Sequence, residues 1–353
     1  MGDAIGNFTL QLRDFLNTNG MHCKLYARYY DEAADLGITD LEVVFDEISS
    51  DDVLISQYSI YDPALEPLAS VEVKSKIVYY HGITPPIYFE GIDSETAVNC
   101  AKGRQQYIHF KSYDYFIANS RFMLDELLQS VFDSSPKIES LLKDYSLVMP
   151  PALTFNDWDS VANEEVPIDY SKNILLYVGR VAPHKRIEDL VDWFAHYHKH
   201  DPDSYLVIVG ADSPSNYGWS IRDKVASYGG GLETVVQLTG TVTQGQLKTL
   251  YQRSTAMVTL SEHEGFCLPL LEAMYFGVPV IARNVAAIPE TLGRTDYLLD
   301  QQPLAAFAAE CYDMLSNEEK SAALLTVQKK QLETILSRCS GAELLKLLHG
   351  ILS

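Results

Sequence analysis

The chain has 353 residues, 47% of them hydrophobic and 21% charged, with a formal net charge of −21. That length supports two domains with full cores, and no apolar run is long enough to span a bilayer. The charge opposes nucleic-acid binding and docking on an anionic membrane by charge alone; the first 150 residues hold 23 Asp and Glu against 11 Lys and Arg.

Short apolar runs alternate with helical patterns along the whole chain, which predicts two doubly wound α/β halves. In the first half a helix is predicted over Asn7–Asn19, with Phe8, Leu12, Phe15 and Leu16 on one face. Strands are predicted at Lys24–Ala27, Val53–Gln57, Lys76–Tyr80, Tyr115–Ala118 and Tyr145–Met149. Pro150-Pro151 closes this half, so the first domain is set at 1–151. The polar, acidic stretch 152–172 has weak periodicity and reads as a linker. A second domain, 173–353, opens on a buried strand at Asn173–Gly179. Further strands follow at Tyr205–Gly210, Val235–Leu238, Ala256–Leu260 and Val278–Ala282, with helices such as Ile187–His198 and Gln244–Arg253 between them. Helices over Leu304–Leu315 and Asn317–Leu352 finish the chain.

The most informative stretch is Ser261–Ala282, where Glu264 and Glu272 stand with seven residues between them across a loop that turns into a helix. Pro269 suits the first helical position. Gly277 suits the position just past the helix end, and Pro279 follows where the helix cannot continue. The loop Gly265-Phe266-Cys267-Leu268 therefore offers backbone N–H groups at a helix N-terminus, a ready anion site. Donors for a phosphate flanked by two carboxylates for hydroxyls describe a site for a phosphorylated sugar.

A second cluster follows the predicted strand that ends at Gly179, because ligands of open α/β sheets bind at the carboxyl ends of strands. Arg180 and Lys185 can converge there on one diphosphate, Arg as a fork and Lys as a point charge. Two cations and the loop amides would stabilise leaving-group charge without a metal. Five scattered cysteines (Cys23, Cys100, Cys267, Cys311, Cys339) lack metal spacing and read as reduced thiols. Neither a zinc pattern nor an Asp-x-Asp pair after a strand is present. His81 lies just past a predicted strand, with a pKa expected near neutrality. No leader-like segment opens the chain, so a cytoplasmic protein is expected, at most in contact with the inner face of a membrane.

Glu264-Gly265-Phe266-Cys267-Leu268-Pro269-Leu270-Leu271-Glu272 resembles the Glu-Gly-Phe-Gly-x-Pro-x-x-Glu signature of the retaining glycosyltransferases of family 4, with Cys267 in place of a glycine. Gly179-Arg180-x(4)-Lys185 resembles that family's Gly-Arg-x(4)-Lys element. The resemblance implies the GT-B fold, two Rossmann-like domains facing a cleft, with the last helix crossing back to the first domain. It implies that Glu272 binds the ribose diol, that Glu264 and His81 contact the transferred sugar, and that the loop amides hold the diphosphate. Gly240 and Val242 resemble the loop lying along the nucleobase. Gly2-Asp3-Ala4-Ile5-Gly6-Asn7 resembles the glycine-rich loop where donor phosphate and acceptor approach the backbone, and Arg121 is a candidate for facing the acceptor; Ser120 or Asn119 is expected to cap the helix that starts there.

The expected activity is metal-independent, retaining transfer of a hexose from a nucleotide diphosphate sugar to a glycan or lipid-linked acceptor in surface polysaccharide assembly, with no cofactor. UDP-glucose is preferred as donor over GDP-mannose. The alternatives are a non-catalytic sugar-nucleotide-binding or partner protein, and a same-fold epimerase or phosphorylase. The family's first strand has no counterpart before Gly2. The strands Lys24–Ala27 and Lys76–Tyr80 are therefore expected to close up against each other or to leave a gap, and an upstream extension to add stability.

Overall fold

The computed structural model describes residues 4–30, 36–132, 143–151, 156–212, 215–293 and 298–353. Gly2 and Asp3 lie outside them. The chain forms two compact units, neither continuous in sequence. One comprises Gly2–Ile83, Asn99–Leu153 and Arg338–Ser353; the other comprises Thr84–Val98 and Thr154–Ser337. The 15-residue stretch 84–98 thus belongs with the later part of the chain, and the last 16 residues belong with the first.

In the first unit, β1 (Leu25–Ala27) pairs in parallel with β2 (Ile38–Asp40). A separate parallel sheet runs in the order β3 (Val53–Tyr58), β4 (Ser75–Tyr80), β5 (Tyr115–Ala118), β6 (Ser146–Val148). The central strand β4 buries Ile77, Val78, Tyr79 and Tyr80 completely, as a parallel strand covered on both faces should. The helix Ala4–Thr18 lays Phe8, Leu12 and Leu16, spaced four apart, onto this sheet beside Ile77, Tyr79 and Ile117. It starts three residues before the predicted Asn7, so Gly6 and Asn7 sit in its first turns rather than in a loop.

β3 takes the place beside β4, and its other edge has no ladder partner among the described residues. β1 and β3 do not pair with each other but share one small core: Tyr26 of β1 and Leu54 of β3 both pack against Val44, Ala64 and Leu68. Neither outcome expected for the strands Lys24–Ala27 and Lys76–Tyr80 is seen at β4, which is paired on both sides, by β3 and by β5.

The predicted final helix is two. Glu318–Arg338 ends, Gly341 adopts φ +66°, and Ala342–Leu352 begins. A Cβ at Gly341 would come within 2.5 Å of the Phe15 ring, so only glycine turns the chain there. Leu344 and Leu348 of the last helix join the core of Phe8, Leu12 and Leu16.

The second unit holds a six-stranded parallel sheet in the order β12-β11-β10-β7-β8-β9. The strands are β7 (Asn173–Val178), β8 (Ser204–Val209), β9 (Val236–Gly240), β10 (Ser254–Thr259), β11 (Val280–Arg283) and β12 (Leu298–Leu299). Helices Ile187–Tyr197 and Leu304–Ser316 cover one face, burying Trp193, Phe194, Tyr197, Phe307 and Met314 against Leu175, Leu206 and Ile208. Each such side chain contributes about 1.5–3 kcal/mol by leaving water. Part of the stretch read as a linker is tied to this unit. Trp158 is buried against Tyr251 and Phe276, and Lys248 Nζ donates to the carbonyls of Trp158 and Val161 at 2.7 and 2.9 Å.

The chain proceeds from β7 outward to β8 and β9, then returns to β10 on the other side of β7. The order reverses between β7 and β10, which is where open α/β sheets place their ligands.

Candidate functional site

Both motifs of the second unit emerge at this switch point. Strands β7 and β10 are ladder neighbours, with Leu175 opposite Ala256 and Leu176 opposite Met257, so the loops at their carboxyl ends are adjacent. The Glu262 N–H donates to the His184 carbonyl at 2.9 Å and stitches the loops together. Across the resulting floor, Lys185 Nζ donates to Glu264 Oε2 at 2.7 Å. The two side chains retain only 17% and 8% of their exposure, so the pair is largely shielded from solvent.

Two hydrogen bonds tie down the Glu264 loop. Its carbonyl accepts from Ala287 N–H at 3.4 Å, and Thr291 Oγ1 donates to the Phe266 carbonyl at 2.9 Å. Cys267 precedes the helix Leu268–Tyr275 and has φ +64°, ψ +69°. This left-handed conformation costs a residue with a Cβ about 1 kcal/mol or more, which explains why the signature prefers glycine there. Burial, then the Glu264 charge, pushes the Cys267 thiol well above its ordinary range. Cys267 gives no side-chain cap, so the helix presents its N-terminal amide dipoles to the loop. The helix ends as predicted: Gly277 has φ +70°, and Val278 N–H donates to the Ala273 carbonyl at 2.9 Å.

Glu272 lies one turn into this helix, half-buried. The phenol of Tyr251 donates to its Oε2 at 2.7 Å. Burial nevertheless pushes its carboxyl up to about 7. Gly179 directly follows β7 and Gly210 directly follows β8, and a Cβ on Gly210 would fall 1.8 Å from the Gly179 carbonyl; the backbones approach as closely as they can. Arg180 follows, exposed, and its charge acts on Tyr177, His184 and Asp93. Gly240 and Val242 stand at the end of the edge strand β9, two strands from β7. The predicted strand stopped at Leu238; it runs on to Gly240, which turns with φ +69°.

Several partners here were not foreseen. His184 is buried beside Phe89 and Tyr88, with ring centroids at 5.6 and 6.4 Å. Its Nδ1 has no hydrogen-bond partner among the described residues. Burial, then the charges of Lys185 and Arg180, pushes its imidazole well below the ordinary range. Arg186 has φ +51° and bridges Glu188 and Asp189, each at 2.9 Å, while Arg283 bridges Asp189. The proline-histidine-lysine run gave no hint of these pairings.

In the first unit, polar side chains gather at the carboxyl ends of β3, β4 and β5. His81 Nε2 lies 2.7 Å from Gln57 Oε1, and Asn119 Nδ2 donates to the His81 carbonyl at 3.4 Å. The expectation of a near-neutral pKa for His81 fails: burial pushes it down to about 3, so the ring is neutral at ordinary pH. Ser120 caps the next helix, accepting from Met123 N–H at 3.2 Å. Arg121 opens that helix, exposed, and bridges Asp125 one turn on at 2.8 Å. Asn7 is exposed on its helix.

Residues 161–331 match the family described as "Glycosyl transferases group 1". Over 165 residues the chain is 34% identical to N-acetyl-alpha-D-glucosaminyl L-malate synthase of Bacillus anthracis, covering 44% of this chain and 39% of that protein. The chain thus matches about two fifths of the length of this relative. Among solved structures, sucrose-phosphate synthase from Thermosynechococcus elongatus superposes with a TM-score of 0.70 at 18% identity, over 99% of this chain and 94% of that one. Anabaena HepE, solved in complex with UDP and glucose, superposes with a TM-score of 0.59 at 17% identity, over 78% and 72%. The fold is α/β with parallel sheets, that of the GT-B glycosyltransferases.

Proposed function

We propose that this protein is a retaining glycosyltransferase. It moves a hexose from a nucleotide diphosphate sugar, UDP-glucose in preference to GDP-mannose, to a glycan or lipid-linked acceptor in surface polysaccharide assembly, with no metal or cofactor. The Lys185–Glu264 contact carries this reading, because it unites a cation from the loop after β7 with a carboxylate from the loop after β10 at the switch point. Arg180, Lys185 and the amides of Gly265, Phe266, Cys267 and Leu268 hold the diphosphate and stabilise charge on it as the glycosidic bond breaks. Glu272 accepts from the ribose diol. Gly179 admits the phosphates close to the backbone, and Gly240 and Val242 flank the base. Glu264 and His81 orient the hexose. Asp3, Asn7 and Arg121 serve the acceptor, and Gly2 and Gly6 serve the donor phosphate. Displacement on one face of the sugar, assisted by the leaving phosphate, retains the configuration, since Glu264 is engaged by Lys185 rather than free to attack.

The UDP and glucose bound by the Anabaena neighbour support the choice of donor. The test is release of labelled hexose to acceptors from UDP-glucose and GDP-mannose in parallel. A second reading, a non-catalytic sugar-nucleotide-binding protein, draws on the divided sheet of the first unit. Binding of UDP without transfer or hydrolysis of any donor would favour it.

A further inference from the structure

The ring of His81 is held on three sides within the first unit. Tyr79 stacks on it at 4.8 Å with 28° between planes, and Phe8 meets it edge-on at 5.6 Å. The third contact is Nε2 to Gln57 Oε1 at 2.7 Å. A carboxamide oxygen only accepts hydrogen bonds, so the imidazole nitrogen facing it must carry the proton. In a neutral ring the other nitrogen then holds a lone pair and only accepts. Among the described residues the Gln57 contact is the ring's one hydrogen bond, and it leaves Nδ1 open to a ligand.

We propose that Gln57 is a positioning residue that locks His81 in the Nε2–H tautomer, so that Nδ1 accepts a hydrogen bond from a hydroxyl of the sugar. This rests on the reading of His81 as a sugar contact. The arrangement gives β3 a functional reason to carry an amide at position 57, one residue before its end. The neutrality it requires is built in. The groups in contact with the ring among the described residues are Tyr79 on its own strand, Phe8 on the helix Ala4–Thr18 and Gln57 on β3, while the Asn119 amide holds the His81 carbonyl. Tyr79 is the only titratable group among them, and burial keeps its phenol protonated, donating to the Met149 carbonyl. Burial alone accounts for the lowered pKa of His81.

Two substitutions separate the roles of the amide. Gln57→Leu removes the acceptor, and Gln57→Glu keeps it but adds a charge that favours imidazolium. Nitrogen-15 NMR of the full chain should show Nε2 protonated in the wild type and a mixture of tautomers in Gln57→Leu. Gln57→Leu should lower kcat about tenfold at every pH, with donor KM little changed, as loss of one oriented hydrogen bond predicts. Gln57→Glu should recover kcat at high pH and acquire a new acid limb where His81 protonates and Nδ1 ceases to accept. Nδ1–H in the wild type, or pH profiles of both variants matching the wild type, would overturn the proposal. His81→Ala with wild-type transfer would instead overturn the sugar-contact reading, whatever the tautomer.

Discussion

Lys185 Nζ sits 2.7 Å from Glu264 Oε2 although the two residues are 79 positions apart, and both side chains are largely withdrawn from water. Removing one partner leaves the other as an uncompensated charge, which is costlier than losing the pair. Lys185→Met should therefore destabilise the protein by about 2 kcal/mol or more, and adding Glu264→Gln should restore part of that. Urea unfolding of the two single variants and the double variant closes the cycle. Strictly additive losses would show that the contact is not energetically coupled.

Glu264→Gln alone should chiefly lower kcat, because its proposed partner is the reacting hexose. Glu272→Gln should chiefly weaken nucleotide binding, because a diol favours a charged acceptor. Equal binding losses with unchanged turnover in both would overturn this division.

Glu272 also gives a pH signature. Its folded pKa, about 7, stands above the ordinary 4.5, so between those values the folded state binds more protons than the unfolded one. Its contribution to stability is present below 4.5 and is lost as pH rises through about 7. Glu272→Gln should thus be more stable than the wild type at pH 8, by about 1–3 kcal/mol, with the difference closing by pH 4.5. Nucleotide affinity of the wild type should fall as pH drops below 7 and the acceptor is protonated. An affinity flat from pH 8 to 5.5 would contradict that role.

His184 works in the opposite sense. Its imidazole is held well below the ordinary 6.5, so the unfolded chain takes up a proton that the folded one refuses. Stability should be lost as pH falls below 6.5, at up to about 1.4 kcal/mol per pH unit for this one group. His184→Phe keeps a ring against Phe89 and Tyr88 and should flatten that loss between pH 7 and 5, measured by urea midpoints. An unchanged slope would show that His184 protonates without unfolding cost.

Legibility from the sequence followed the range of the forces involved. Strands β7, β8 and β10 were readable because burial on both faces writes a continuous apolar run. Gly277 and Pro269 marked the ends of their helix because caps are local. The Tyr251–Glu272 and Gln57–His81 contacts join strands and helices far apart in the chain, and no periodicity reports them. His81 was misjudged for the same reason: a histidine after a strand looks solvent-facing until Tyr79 and Phe8 close over it. β2 and β12, of three and two residues, are too short to show alternation. The break at Gly341 depends on the Phe15 ring, more than 300 positions away.

The most direct test of the donor site is the unfolding midpoint with UDP, GDP and ADP, for the wild type and for Lys185→Met and Glu272→Gln. UDP should raise the wild-type midpoint saturably, adding about 2.7 kcal/mol at 100 times its dissociation constant. The shift should be reduced in both variants and weaker with GDP or ADP. No shift with any nucleotide, or an equal shift in all three proteins, would contradict a nucleotide diphosphate site at the ends of β7 and β10.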